Sequence, residues 1–167
     1  VLALAMEHAG GVYRIPNALI EGFLVYTNNA IGGAFRGFGV PQVTAALEQL
    51  IAELARQTGL DPLEFRLRNA LIQGDQNACG VRLTESVAIT SCLEAIRRHA
   101  FWKDRKRWIA EAPRFKRRGV GLACASHGMG YGPVVPDHAT AKIELMPDGR
   151  STVNVGGADM GQGHIAT

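Results

Sequence analysis

A chain of 167 residues with 47% hydrophobic and 20% charged side chains has an ordinary globular composition and enough length for one good core or two small ones. No apolar run reaches membrane-spanning length, and three cysteines without C-x-x-C spacing argue against a disulfide framework or a zinc site and fit a reducing, cytoplasmic setting. The net charge of +3 is mild but uneven: Arg97-Arg98, Lys103 to Arg107 and Arg114 to Arg118 gather positive charge in one third of the chain.

Val1 to His8 is apolar and Ala-rich and reads as the end of a helix, stopped by Gly10-Gly11. Val12 to Ile15 and Ala18 to Tyr26 are β-rich pieces separated by Pro16-Asn17. The imperfect alternation of Leu19 to Tyr26 predicts a strand covered on both faces. Thr27-Asn28-Asn29 leads into Gly32-Gly33-Ala34-Phe35-Arg36-Gly37-Phe38-Gly39-Val40-Pro41-Gln42. Glycines here let the backbone turn through positive φ, and Pro41 opens a helix at a first-turn position.

That helix is predicted over 42–58, with Val43, Leu47, Leu50, Ile51 and Leu54 as its apolar face and Glu48, Gln49, Glu53 and Arg56 opposite. Gly59 stands where a left-handed cap belongs. Asp61-Pro62-Leu63-Glu64 supplies an N-cap, a first-turn proline and a capping-box acid for a helix over 61–71, with Leu63, Leu67 and Ala70 inward. Gln73 to Arg82 is loop-like, and Ser91-Cys92-Leu93-Glu94 is a second capping box opening a helix over 91–100. A further helix over 104–111 places Trp108 and Ile109 on its apolar side, and Pro113 ends it.

Beyond Gly119 the small residues Val120 to Ala125 read as a buried strand. Ala139 to Met146 alternates, Pro147-Asp148-Gly149-Arg150 turns, and Ser151 to Val155 returns, which predicts a β-hairpin over 139–155. Helices at 42–58, 61–71, 91–100 and 104–111 between strand groups imply an α+β architecture. The natural division is 1–118, holding the first Gly-rich loop, and 119–167, holding the hairpin and a second Gly-rich loop.

The chemistry sits in those two loops. Glycine turn, helix N-terminus and Arg36 together collect N–H donors, positive dipole and a permanently charged fork, and Phe38 offers a flat wall for a planar ring. Gly33, Gly37 and Gly39 lack G-x-G-x-x-G spacing, and no P-loop lysine follows. Read from the residues alone, the stretch is either an anion or cofactor cradle or a structural turn with a surface arginine. Met160-Gly161-Gln162-Gly163 is by itself an equally plain strand-to-helix turn, though Gln162 brings both an amide donor and an acceptor. Paired, the loops suit gripping one large polar cofactor.

Ala34-Phe35-Arg36-Gly37-Phe38-Gly39-x-Pro41-Gln42 resembles the signature of the molybdenum-binding subunit of the xanthine dehydrogenase/aldehyde oxidase family. Gly156-Gly157-Ala158-Asp159-Met160-Gly161-Gln162-Gly163-His164 resembles that family's G-G-x-x-M-G-Q-G segment, and Gly59 to Pro62 and Arg68-Asn69 before Gly74-Asp75 also fit. The resemblance runs over nearly the whole chain. It implies an internal part of a larger subunit that carries molybdopterin, in bacterial members usually the cytosine dinucleotide, with molybdenum held by the cofactor's own dithiolene. It implies Ala34, Phe35, Arg36 and Gly37 beside the cofactor, with Arg36 near molybdenum but not a direct side-chain ligand. Met160, Gly161, Gln162 and Gly163 would contact the pterin, and Phe38 would pack on the substrate. Tyr131 falls near a second aromatic of the substrate slot, although Tyr131-Gly132-Pro133 departs from the commoner phenylalanine-containing pattern and an ordinary loop tyrosine is the alternative.

The implied reaction is hydroxylation of an aromatic heterocycle or aldehyde with oxygen from water. The glutamate base is expected beyond Thr167, so no catalytic residue is assigned and the piece alone is expected to be inactive. Electrons would leave through 2Fe-2S clusters and FAD on partner domains or subunits. Two other classes remain: a non-catalytic fragment, and a basic nucleic-acid-binding module using Phe101, Trp102, Trp108 and Phe115 among the Lys103 to Arg118 charges.

Overall fold

The computed structural model describes residues 1–30, 32–128, 136 and 138–163. Among the described residues the secondary structure is α+β, with five helices followed by one antiparallel hairpin. Two compact units divide the chain, Val1–His127 and Gly128–Thr167.

The first unit holds α1 (Leu2–Glu7), α2 (Val40–Gln57), α3 (Pro62–Asn69), α4 (Ile89–Arg98) and α5 (Ala100–Ala110), each packed on its neighbour in that order. Its core gathers Val12, Tyr13, Ile51, Ala70, Leu93 and Cys124, with Leu47, Phe65, Leu67, Ile89 and Leu122 against it. Local chemistry sets the helix ends. The α2 C-terminus closes as a Schellman motif: Leu60 N–H donates to Ala55 O at 3.0 Å and Gly59 N–H to Arg56 O at 3.2 Å, with Gly59 at φ +68. Asp61 caps α3, its Oδ1 accepting from Leu63 N–H at 3.0 Å, and Pro62 sits in the first turn.

Several expectations are corrected. Among the described residues, Val12 to Ile15, Ala18 to Tyr26 and Val120 to Ala125 are not strands. A strand needs a partner ladder for its backbone groups. Tyr13 finds only a single bridge, to Ala70, while Leu19 and Leu24 are 86% and 85% exposed. Leu122 and Cys124 do point alternately into the core, so the side-chain pattern of 120–125 is met without the backbone pairing.

The α2 face is rotated from the predicted one. Leu50 and Leu54 are exposed, and Glu48 is buried with Ile51 and Ala55, because Glu48 has buried partners described below. The acid Glu64 does not complete a capping box, since its carboxylate pairs with Arg68 and Arg97 instead. α3 ends at Asn69 because Ala70 turns extended to meet Tyr13. α4 begins at Ile89, two residues before Ser91, with Ala88 at its N-cap and no side-chain cap. α5 begins at Ala100, four residues earlier than predicted, since His99 caps it by accepting from Phe101 N–H at 3.2 Å. Its buried aromatic is Trp102, 8% exposed, whereas Trp108 and Ile109 are each 37% exposed.

In the second unit β1 (Ala141–Leu145) pairs with β2 (Ser151–Val155), with Ile143 opposite Val153 and Glu144 opposite Thr152. Gly149 at φ +83 makes the turn, closed by Met146 N–H to Arg150 O at 2.8 Å and Gly149 N–H to Met146 O at 3.0 Å. Asp148 accepts from Arg150 across it, and that guanidinium holds its carboxyl below the usual range.

Candidate functional site

The first glycine loop is built by three consecutive residues in the left-handed region: Gly37 at φ +84, Phe38 at φ +47 and Gly39 at φ +107. Phenylalanine tolerates that region poorly, so the turn is imposed by its flanks. On one side Phe38 N–H donates to Phe35 O at 2.9 Å, and Val40 N–H to Gly37 O at 3.0 Å. On the other, a Cβ at Gly39 would stand 2.2 Å from the Val1 carbonyl oxygen, so only glycine lets the loop close against α1. Gly39 then acts as the N-cap of α2, with Pro41 in the first turn.

This geometry displays its residues outward. Arg36 is exposed, and among the described residues it meets no carboxylate. The amides of Arg36 and Gly37 donate to no described group. Phe35 is 79% exposed and Phe38 42%. A guanidinium and amides without partners among the described residues, beside a helix N-terminus, form an arrangement suited to an anionic group. The loop is therefore compatible with an anionic group such as the phosphate of a cofactor.

The second loop is folded on itself. Gln162 Oε1 accepts from Met160 N–H at 2.7 Å, and its Nε2 donates to Ala158 O at 2.9 Å. Asp159 Oδ1 accepts from Gly161 N–H at 2.7 Å. Two of the amides and both ends of the Gln162 side chain are thus engaged within the loop, with Gly161 at φ +115 and Gly163 at φ +84 shaping it. Met160 stays exposed. Tyr131 and His164 lie outside the described residues.

One polar group that sequence reasoning missed lies in the core. Glu48 Oε2 accepts from Arg66 Nη2 at 2.7 Å and from Arg66 Nε at 3.0 Å, and Glu48 Oε1 accepts from the Tyr13 hydroxyl. Arg66 Nη1 donates to Pro62 O at 3.0 Å, and Arg66 is fully buried. Burial, then the hydrogen bond to Glu48, pushes the Tyr13 phenol far above its ordinary range. Burial, helped by the Glu48 charge, likewise raises the Cys124 thiol, which disfavours its thiolate form. The signal was present in spacing: Arg66 shares a helical face with Leu63 and Ala70, and Glu48 shares one with Ile51 and Ala55.

A cavity of about 360 Å³ opens elsewhere, between Asp61 and Glu64 of the α3 start, Arg97 of α4, and Trp102 and Arg105 of α5. Its two arginines are already matched, Arg97 to Glu64 at 2.6 Å and Arg105 to Asp61, while Lys103 on the same wall meets no carboxylate among the described residues. Among the described residues no three His, Cys, Asp or Glu side chains converge as a metal site, and no helix is long and apolar enough to cross a membrane.

Residues 1–70 and residues 95–167 each match a family described as a molybdopterin cofactor-binding domain. A probable xanthine dehydrogenase subunit from Bacillus subtilis is 37% identical over 166 residues, 99% of this chain and 22% of that protein. A putative xanthine dehydrogenase molybdenum-binding subunit of Escherichia coli is 38% identical over 138 residues, 83% of this chain and 18% of that protein. Among solved structures, the aldehyde oxidoreductase of Desulfovibrio desulfuricans is similar with a TM-score of 0.74 and 32% identity over 90% of this chain and 17% of that one. The chain thus spans about a fifth of the length of these relatives.

Proposed function

The chain belongs to the molybdopterin-binding subunits of the xanthine dehydrogenase family, and from that premise we propose that it is the cofactor-gripping part of a molybdenum-dependent hydroxylase or dehydrogenase. The proposed substrate is an aromatic heterocycle or an aldehyde, with water as oxygen source. A xanthine dehydrogenase subunit and an aldehyde oxidoreductase among the similar proteins support these two classes.

The observation that carries the reading is the left-handed turn at 37–39, which leaves Arg36 exposed and without a carboxylate partner among the described residues. When bound, molybdopterin supplies the two-electron oxidation of a substrate carbon. Arg36, with the backbone of Ala34, Phe35 and Gly37, would hold the cofactor near molybdenum, and Phe38 would orient a planar substrate. Met160, Gly161, Gln162 and Gly163 would hold its pterin, with the internally bonded Gln162 fixing the loop's shape. Residues 1–118 and 119–167 would each bring one loop. We further propose the cytosine dinucleotide form of the cofactor, a cytoplasmic enzyme, and partners that carry 2Fe-2S clusters and FAD. No glutamate of this chain is assigned as general base.

In the intact protein, Arg36→Ala should lower molybdenum content or turnover about tenfold or more, a change of about 1.4 kcal/mol. Wild-type metal content together with wild-type turnover would overturn the assignment.

A further inference from the structure

Residues 97–118 hold ten Arg and Lys against two acids, Asp104 and Glu111, in a chain whose total is only +3. The excess is therefore local, and the remainder of the chain is negative. Three of the ten are neutralised: Arg97 by Glu64 and Glu94, Arg105 by Asp61, and Arg107 by Asp104 at 3.2 Å. Arg98, Lys103, Lys106, Arg114, Lys116, Arg117 and Arg118 meet no carboxylate among the described residues.

The fold concentrates these charges. Lys103 and Lys106 stand one turn apart on the exposed side of α5. After Ala110 the chain turns at Pro113, where Lys116 N–H donates to Pro113 O at 2.8 Å, and comes back on the helix end. Arg118 Nη1 donates to Trp108 O at 2.8 Å, and its guanidinium lies 4.8 Å from the Trp108 ring centre. Phe101 meets the same indole edge-on, with ring centres 5.7 Å apart. The result is an exposed surface of cations and aromatics, with Phe115 90% exposed beside Lys116 and Arg117.

We propose that this face, made by α5 and residues 111–118, is a docking surface for an acidic protein segment that carries apolar side chains. Charge complementarity selects an acidic partner. The rings decide between a polypeptide and a nucleic acid. Base stacking needs open aromatic faces. Here the two indoles, the best stacking platforms, are not open: Trp102 is buried under Arg105 at 3.9 Å and Trp108 is covered by Arg118, which leaves only the phenyl rings of Phe101 and Phe115 exposed. Arginine held against aromatics is the make-up of a protein interface centre, and the lysines stand where a polar rim and electrostatic steering would use them. The surface is independent of the cofactor loops, so it stands or falls apart from the function proposed above.

The test uses the intact protein and two labelled probes in fluorescence anisotropy: a peptide repeating Glu-Glu-Phe-Asp, and an oligo-dT of equal charge. The peptide should bind more tightly, and its affinity should fall as salt is raised. Reversing four exposed charges, Lys103→Glu, Lys106→Glu, Lys116→Glu and Arg117→Glu, should weaken it about tenfold or more with metal content unchanged. Phe115→Ser should weaken the peptide several-fold and leave oligo-dT as it was, which separates docking from a general electrostatic field. Tighter binding of oligo-dT would make this a nucleic-acid surface and overturn the proposal. Binding of neither probe, or peptide binding indifferent to both variants, would overturn it as well.

Discussion

Arg66 on α3 presses its guanidinium against Glu48 on α2, with Nη2 2.7 Å from Oε2 and both side chains withdrawn from solvent. All buried side-chain nitrogen and oxygen atoms among the described residues have partners, so the pair is satisfied rather than strained. Breaking such a pair on one side leaves an uncompensated buried charge, whereas removing both sides does not. Arg66→Met and Glu48→Leu should each destabilise the protein by about 3–5 kcal/mol, and the double variant by clearly less than either. Denaturant midpoints of the three variants decide the matter. Additive losses would mean that the two residues do not act as a pair.

Tyr13 ties the same carboxylate to the core, and its phenol is held protonated by burial and by the hydrogen bond to Glu48. A folded-state pKa above the unfolded one favours folding fully below the unfolded value, near 10 for tyrosine, and the advantage is lost as pH rises above it. Stability should therefore fall from about pH 10 upward more steeply in the wild type than in Tyr13→Phe. Hydrogen exchange of α2 amides across that range reads the difference. Equal slopes would show that Tyr13 titrates as a solvent-exposed phenol does.

Gly39 and Gly59 both have positive φ, yet they should respond differently to alanine. At Gly59 an added Cβ meets nothing within 4 Å, so only the left-handed backbone cost applies, about 1–2 kcal/mol. At Gly39 the Cβ would stand 2.2 Å from a backbone carbonyl that has no rotamer to escape through. Gly39→Ala should cost more than Gly59→Ala and should also move the 37–39 turn, lowering molybdenum content, while Gly59→Ala leaves the metal in place. Thermal midpoints and elemental analysis check both halves. The reverse order would sink the account of the loop's closure.

Regular elements with local signals were legible in the sequence: the Gly59 cap, the Asp61-Pro62 start and the Asp148-Gly149 turn all stand where the residues place them. Beyond shifted helix starts such as the His99 cap of α5, the larger errors arose where a long-range partner decides. Leu19 to Tyr26 has strand composition but no strand to pair with among the described residues. The α2 face turned because Glu48 finds Arg66 eighteen residues away; spacing puts each on an apolar face of its own helix, but no pattern within one helix pairs the two. The candidate site divides in the same way. Glycines 37 and 39 announced a positive-φ turn, but nothing in the sequence put Phe38 between them in that conformation, or folded the Gln162 amide back onto Met160 and Ala158.

Phe38 is where backbone and side-chain roles can be separated. Its φ of +47 strains any residue but glycine, and its ring is partly exposed beside Arg36. Phe38→Ala keeps the strain and removes the ring, whereas Phe38→Gly removes both. The glycine variant should therefore be more stable than the alanine variant by about 1 kcal/mol. If the ring packs on substrate, both variants should keep their molybdenum and lose kcat/KM to a similar degree, because neither replaces the flat surface. Steady-state kinetics with a planar substrate and metal analysis on the same preparations give the answer. Metal loss in the alanine variant that glycine restores would place Phe38 in the turn's architecture instead. Metal loss in both would assign the ring to the cofactor.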